Sequence, residues 1–321
     1  MNIKNIKHHF STLFLIFALI TPLFLITSCA TMDVLSDFFE EMPDSPEGSD
    51  DTIDYALLSG LESIKKATED ITPEMAYYIG RKVALSVTQK YTIYQNPKAT
   101  KYVNAICSAL AVNSDAPCPY KGYFVAILDT DEINALATPG GHIFITRGLL
   151  QCTDSEDAVA AIIAHELSHI QLNHSIAAIR SSRITDAAIK TAAAATTIAI
   201  ENSDISKYYK VSQEDINSFT DAGDKIFGTL VDSGFSFAQE YLADKNALEL
   251  MINAGYIPTA MDDMLTLLEN NVQEGTSGWS KTHPSPSSRK QNIQQPLKKY
   301  SGSKKIPKSR INRFNEYKDS F

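Results

Sequence analysis

His165-Glu166-Leu167-Ser168-His169 sets two imidazoles four residues apart, with a carboxylate between them. On a helix, positions four apart differ by about 40° around the axis, so both rings reach one point from one face. Glu166 falls about 60° from His169, beside the pair, near enough to take a proton from a water without ligating. This is the pattern of zinc hydrolysis, in which two His hold the ion and the Glu is general base. A catalytic zinc also needs a third protein ligand and an open position. His174 lies nine residues after His165 and on a continuous helix points about 180° away, so it reads as a helix-end residue facing the helix dipole. The glycine of the H-E-x-x-H-x-x-G-x-x-H pattern is missing. Glu240 is the better third ligand. Glu240 and Asp244 are again four apart, so Glu240 can ligate while Asp244 accepts the N–H of a ligating His.

These residues need rigid elements beneath them. Thr153-Asp-Ser-Glu156 matches a capping box and predicts a helix running to about His174. Ala161, Ile162, Ile163, Ala164, Leu167 and Ile170 make its other faces apolar, as a buried helix requires. Further helices are predicted over Tyr55–Thr68, Pro73–Tyr91 behind Thr72, Pro97–Val112 behind Asn96, Asp186–Ile200, Ser236–Asn253 and Pro258–Asn270. Strand patterns fall at Gly122–Asp129, Asn134–Ala137 and His142–Thr146, with Pro139-Gly140-Gly141 as a turn, and read as a small antiparallel sheet. Ser277–Ser288 reads as a polar loop. A mainly helical chain with a few strands inside it predicts one α+β domain.

In order along the chain, Glu132-Ile-Asn-Ala-Leu-Ala137, Pro139-Gly-Gly-His-Ile-Phe-Ile-Thr-Arg-Gly-Leu-Leu150, the H-E-x-x-H, Glu240-x-x-x-Asp244 and Thr282-His283-Pro284 with Arg289 resemble the gluzincin zinc metallopeptidases of the HtpX and CAAX-prenyl-protease kind. The resemblance implies a zincin-like domain over 54–297 that hydrolyses peptide bonds. It implies one Zn2+ per chain held by His165, His169 and Glu240, with Glu166 as catalytic base and Asp244 behind a ligand. It implies that His283 stabilises the oxyanion or acts as a movable ligand that closes the resting site, with Arg289 anchoring its loop. Asn134, Ala135 and Leu136 are implied as an edge strand that pairs with an extended substrate; an aromatic is frequent at the place of Leu136.

The ends of the chain carry different signals. Lys4 and Lys7 precede Phe10–Ile26, 17 residues without a charge, and Ile26-Thr27-Ser28-Cys29 resembles a bacterial lipobox. The expectation is a signal peptide over 1–28, a lipid on Cys29 and a place in the cell envelope facing the periplasm, at the outer membrane. Residues 33–54 hold nine acids and no Lys or Arg, so 29–53 reads as an acidic tether. Residues 281–321 hold eleven Lys or Arg and two acids, and 298–321 reads as a solvated basic tail. The 321 residues, 44% of them apolar, can bury a full core, and the net charge of −9 argues against a nucleic-acid partner. Cys107 and Cys118 read either as a disulfide or, with Cys152, as buried thiols. The expected partners are unfolded or misassembled envelope polypeptides, the membrane through Cys29, and the envelope assembly machinery. The alternative function is a zinc-binding lipoprotein that assists outer-membrane assembly without proteolysis.

Overall fold

A computed structural model describes residues 70–182, 228, 234–271, 278–302 and 305–321. Every described residue belongs to one unit, within Leu57–Phe321. Cys29, the acidic tether, and the helices expected over Tyr55–Thr68 and Asp186–Ile200 lie outside the described residues.

Local chemistry starts each helix. In α1 (Pro73–Lys90), Thr72 accepts from Met75 N and Pro73 occupies the first turn, where its missing N–H is no loss. In α2 (Pro97–Val112), Asn96 and Pro97 repeat the device. Three short strands follow: β1 (Phe124–Leu128), β2 (Ala135–Thr138) and β3 (His142–Thr146). The sheet is mixed, which corrects the antiparallel expectation. β2 and β3 form the antiparallel hairpin, but β1 pairs parallel with the far side of β3, giving the order β1-β3-β2. The outer side of β1 is not free, since Tyr94 N donates to Ile127 O at 2.8 Å and Asp129 N to Thr92 O at 2.8 Å. β3 is therefore central, and β2 is an edge among the described residues.

After α3 (Arg147–Gln151) comes α4 (Glu156–Gln171), which carries the two histidines and is buried from Glu156 to His169. Its cap is Ser155, accepting from Ala158 N, and not Thr153. The Thr153 hydroxyl instead donates to Leu150 O at 2.6 Å and closes α3. Glu156 cannot complete a capping box because its carboxylate is engaged elsewhere, as described next. Ile162, Ile163 and Leu167 on α4 are fully buried, each contributing about 1.5–3 kcal/mol relative to exposure. α4 packs against α5 (Phe237–Asn253), whose start is a complete capping box between Ser236 and Gln239. α6 (Thr259–Asn271), α7 (Trp279–Thr282), α8 (Pro286–Lys299) and α9 (Lys308–Tyr317) complete the described unit. The expected Ser277–Ser288 loop therefore contains α7 and the first turn of α8.

The C-terminal segment is also more ordered than its composition predicts. Instead of a solvated basic tail, residues 308–317 form α9, with Phe314 and Arg310 buried. Arg310 Nη1 lies 3.0 Å from Asp157 Oδ1. Arg313 grips Glu156 with two donors, Nε reaching Oε2 at 2.6 Å. Tyr102 donates to the same carboxylate at 3.2 Å and stacks on Tyr317 at 4.5 Å. The basic residues of this end thus neutralise two buried acids at the start of α4. Arg313→Ala should destabilise the protein by about 2 kcal/mol, because it strips a buried carboxylate of its countercharge while two tyrosines remain nearby. Urea denaturation checks this; an unchanged midpoint would place the α9 contact outside the stability of the domain.

Candidate metal centre

α4 and α5 meet at one point. His165 and His169, both fully buried, turn their Nε2 atoms toward each other at 3.1 Å. From the first turn of α5, Glu240 brings Oε2 to 3.5 Å from His165 Nε2 and Oε1 to 3.5 Å from His169 Nε2. A tetrahedral zinc site with Zn–N near 2.0–2.1 Å separates its donor atoms by about 3.3 Å. The Nε2–Nε2 distance, and the distance from each histidine to its nearer Glu240 oxygen, fit that spacing. His283 completes a group whose donor atoms all lie within 4.8 Å of one another.

The chemistry of the pocket points the same way. Both Glu240 oxygens are buried and make no hydrogen bond. A buried, unpartnered carboxylate is costly, and a cation is its natural remedy. Burial pushes the Glu240 carboxyl from its ordinary 4.5 up to about 9; the nearby Arg289 guanidinium opposes the rise, and Asp244 and Glu166 add to it. Burial also holds His165, His169 and His283 well below the usual imidazole value, with the Arg289 charge adding to it in each. The three rings are therefore neutral, the form that ligates metal. These residues fit the group that the H-E-x-x-H spacing implies.

Around the triangle, each expected residue has a definite neighbour. Asp244 Oδ1 lies 3.0 Å from His165 Nδ1. Arg289, fully buried on α8, donates Nε to Asp244 Oδ2 at 3.0 Å and Nη2 to Oδ1 at 2.5 Å. Arg289 Nη2 also sits 3.0 Å from His165 Nδ1. With a proton on Nδ1 both atoms are donors, so the Asp244 carboxylate is the acceptor that organises the three. Glu166 is buried beside the triangle, its Oε1 unpartnered and 3.7 Å from His283 Nε2.

Asn134 N donates to the Thr146 hydroxyl at 3.0 Å, and Asn134 O accepts from Thr146 N at 3.0 Å, so Asn134 faces β3. Antiparallel alternation then turns the backbone groups of Ala135 and Ala137, and not those of Leu136, toward the outer edge. Cys107, Cys118 and Cys152 are free thiols, so the disulfide reading is not met; the reading as buried thiols holds for Cys107, whereas Cys118 is exposed and Cys152 half-buried.

Three residues of the site were not singled out in the sequence for what they do here. Trp279, the chain's single Trp, is fully buried and stacks on His283 at 3.9 Å with 10° between the planes. Phe235 stacks on His169 at 4.2 Å. His174 does not end the helix as expected but meets the back of His169. A lone Trp three residues ahead of a Thr-His-Pro was a usable signal; nothing local marked Phe235. Gly278 explains how the His283 segment comes so close. Its φ is +60°, and a Cβ there would lie 2.5 Å from Ile133 O, beside the point where Trp279 N donates to the same carbonyl at 2.9 Å.

The family described as peptidase family M48 matches residues 97–297. A stretch of 122 residues is 32% identical to the beta-barrel assembly-enhancing protease of Yersinia pestis, covering 37% of this chain and 24% of that protein. The metalloprotease LoiP of Escherichia coli (strain K12) is 28% identical over 200 residues, 62% of this chain and 70% of LoiP. The mitochondrial metalloendopeptidase OMA1 of Schizosaccharomyces pombe is 29% identical over 166 residues, 50% of this chain and 43% of that protein. The match thus spans less than a quarter of the Yersinia protein but over two thirds of LoiP.

Proposed function

This chain belongs to peptidase family M48, and from that premise we propose that it is a zinc-dependent endopeptidase of the cell envelope, acting on unfolded or misassembled polypeptides. The observation that carries the reading is the unpartnered Glu240 carboxylate set 3.5 Å from each of two histidine Nε2 atoms. His165, His169 and Glu240 would hold the ion. Zinc so held supplies Lewis-acid polarisation of the scissile carbonyl and a water nucleophile at neutral pH. Glu166 would hold on its carboxylate the proton released by the attacking water and return it to the leaving amine. His283, held by Trp279 and by Thr282 Oγ1 at 2.9 Å from its Nδ1, faces the developing oxyanion with Nε2. Asp244 fixes the proton of His165 on Nδ1, and Arg289 fixes Asp244. An extended substrate adds to the outer edge of β2 and pairs with the backbone of Ala135 and Ala137, a mode that favours unfolded chains over folded ones.

The test is cleavage of casein by the purified chain with zinc and with a chelator. Zinc-dependent cleavage of casein, together with no cleavage of a folded protein of similar size, is the expected result. Full zinc occupancy without cleavage would favour a second reading, a non-proteolytic zinc lipoprotein that assists outer-membrane assembly. One observation speaks for that reading: His283 belongs to the same 4.8 Å group and, as a fourth ligand, would close the site.

The place of action is proposed from the N-terminal sequence and from the relative named for beta-barrel assembly. Residues 1–28 are removed, Cys29 carries lipid, and 29–53 tethers the domain at the periplasmic face of the outer membrane. No helix among the described residues is long and apolar enough to cross a membrane. Cys29→Ser should move the protein from the membrane fraction to the soluble fraction of a lysate; continued sedimentation with membranes would refute the lipid anchor.

A further inference from the structure

The two histidines of the triangle are supported differently. His165 has a carboxylate at its Nδ1, that of Asp244. His169 has another imidazole: its Nδ1 lies 3.0 Å from His174 Nδ1, the rings crossing edge to face at 5.0 Å and 73°. We infer that His174 is the positioning residue of His169, accepting the Nδ1 proton of that ring and so holding its Nε2 bare toward the metal centre. The inference rests on the zinc-peptidase reading above.

The backbone explains how His174 reaches this position. Five residues beyond His169, a continuous helix would turn His174 about 140° away. The helix does not continue. Leu172 N closes on Ser168 O at 2.9 Å, Asn173 N on Ile170 O at 3.0 Å, and Asn173 adopts φ +55°. Asn is the residue, after Gly, that enters this left-handed region most readily. A new helix then starts, with Ala177 N donating to Asn173 O at 2.9 Å. The break swings His174 back beneath His169, and both are buried.

Only one protonation pattern serves both rings. Between two imidazole nitrogens at this distance, one donates and the other accepts. His169 turns Nε2 to His165 and Glu240, so its proton is on Nδ1. His174 therefore presents a bare Nδ1 and carries its own proton on Nε2. Phe235, stacked on His169 at 4.2 Å and 18°, fixes the plane of the ring, and the bond to His174 fixes its rotation within that plane. Gln239 Nε2 donates to His174 O at 3.5 Å, which ties the support to the residue beside Glu240. A ligand ring held this way loses metal affinity when its outer partner is removed, typically by 10–100-fold.

The test uses the full-length chain and Zn2+ itself, with affinity measured by chelator competition. His174→Phe keeps a ring and removes the acceptor. His174→Asn keeps an acceptor, Oδ1, near the place of Nδ1. His174→Phe should weaken zinc binding about 10–100-fold, and His174→Asn should stay within about threefold of the unaltered chain. A purely structural role would cost both variants stability without splitting their zinc affinities by acceptor. Equal affinity of His174→Phe and the unaltered chain overturns the inference, as does a loss in His174→Asn matching that of His174→Phe. Nitrogen-15 spectra of the unaltered, zinc-loaded chain test it without any variant. They should show a proton on His169 Nδ1 and a bare His174 Nδ1; the opposite pair of tautomers overturns it. If the unaltered chain takes up no zinc, the peptidase reading falls. Zinc uptake that is unchanged across the variants removes only the role of His174.

Discussion

Glu166→Gln should reduce casein cleavage by about 10²–10⁴-fold, the range for loss of a positioned general base, while zinc content stays at one per chain. The amide keeps the volume and the buried position of the carboxylate but cannot accept the water proton. Zinc should remain because the Glu166 Oε1 contact is with His283 at 3.7 Å, outside the triangle of His165, His169 and Glu240. The environment suits the role. Burial raises the Glu166 carboxyl from 4.5 to about 8, against the pull of the Arg289 charge, and Oε1 has no competing partner. A bound divalent cation draws the value back toward neutrality, where a group both takes and returns a proton. Turnover within a few-fold of the unaltered chain, measured with zinc content confirmed, would remove Glu166 from the mechanism. Cleavage lost together with zinc would instead make Glu166 part of the metal's support.

What was legible in the sequence was local periodicity. His165 and His169 share a helix face by spacing alone, and Glu240 and Asp244 repeat that spacing, so the pairing of two helices around one point followed from residue types. Helix starts at Thr72-Pro73 and Asn96-Pro97 were legible because a cap and a proline act within one turn. Features set by distant partners were not legible. The cap of α4 moved from Thr153 to Ser155 because Arg313, 157 residues away, occupies Glu156. The C-terminal charges read as a tail because their acids, Glu156 and Asp157, sit in another part of the chain. The sheet came out mixed because the pattern of a strand says which face is buried but not which neighbour it takes. His174 was misplaced by an assumption of continuity, which a single left-handed Asn173 breaks.

Removing the metal should lower thermal stability, and the loss should widen as pH rises. In the metal-free pocket, Glu166 and Glu240 are raised by burial from 4.5 to about 8 and about 9. A raised carboxyl supports the fold fully below its unfolded value, and that support is lost as pH climbs through the folded one. His165, His169 and His283 are shifted the other way, so their support is present above about 6.5 and fades below it. From about pH 6.5 to 9 only the carboxylate loss remains, and the metal-free protein weakens across that window. Zinc needs deprotonated ligands and so binds more tightly over the same range. At free zinc about 1,000-fold above its dissociation constant, binding adds about 4 kcal/mol to the folded state. The difference in Tm between zinc-loaded and chelated protein should therefore be larger at pH 8.5 than at pH 6.5. Fluorescence of Trp279, buried and stacked on His283, gives a reporter inside the site. A Tm unaffected by zinc at both pH values, in protein shown to hold the ion, would mean that the metal sits away from Glu240 and the histidine pair.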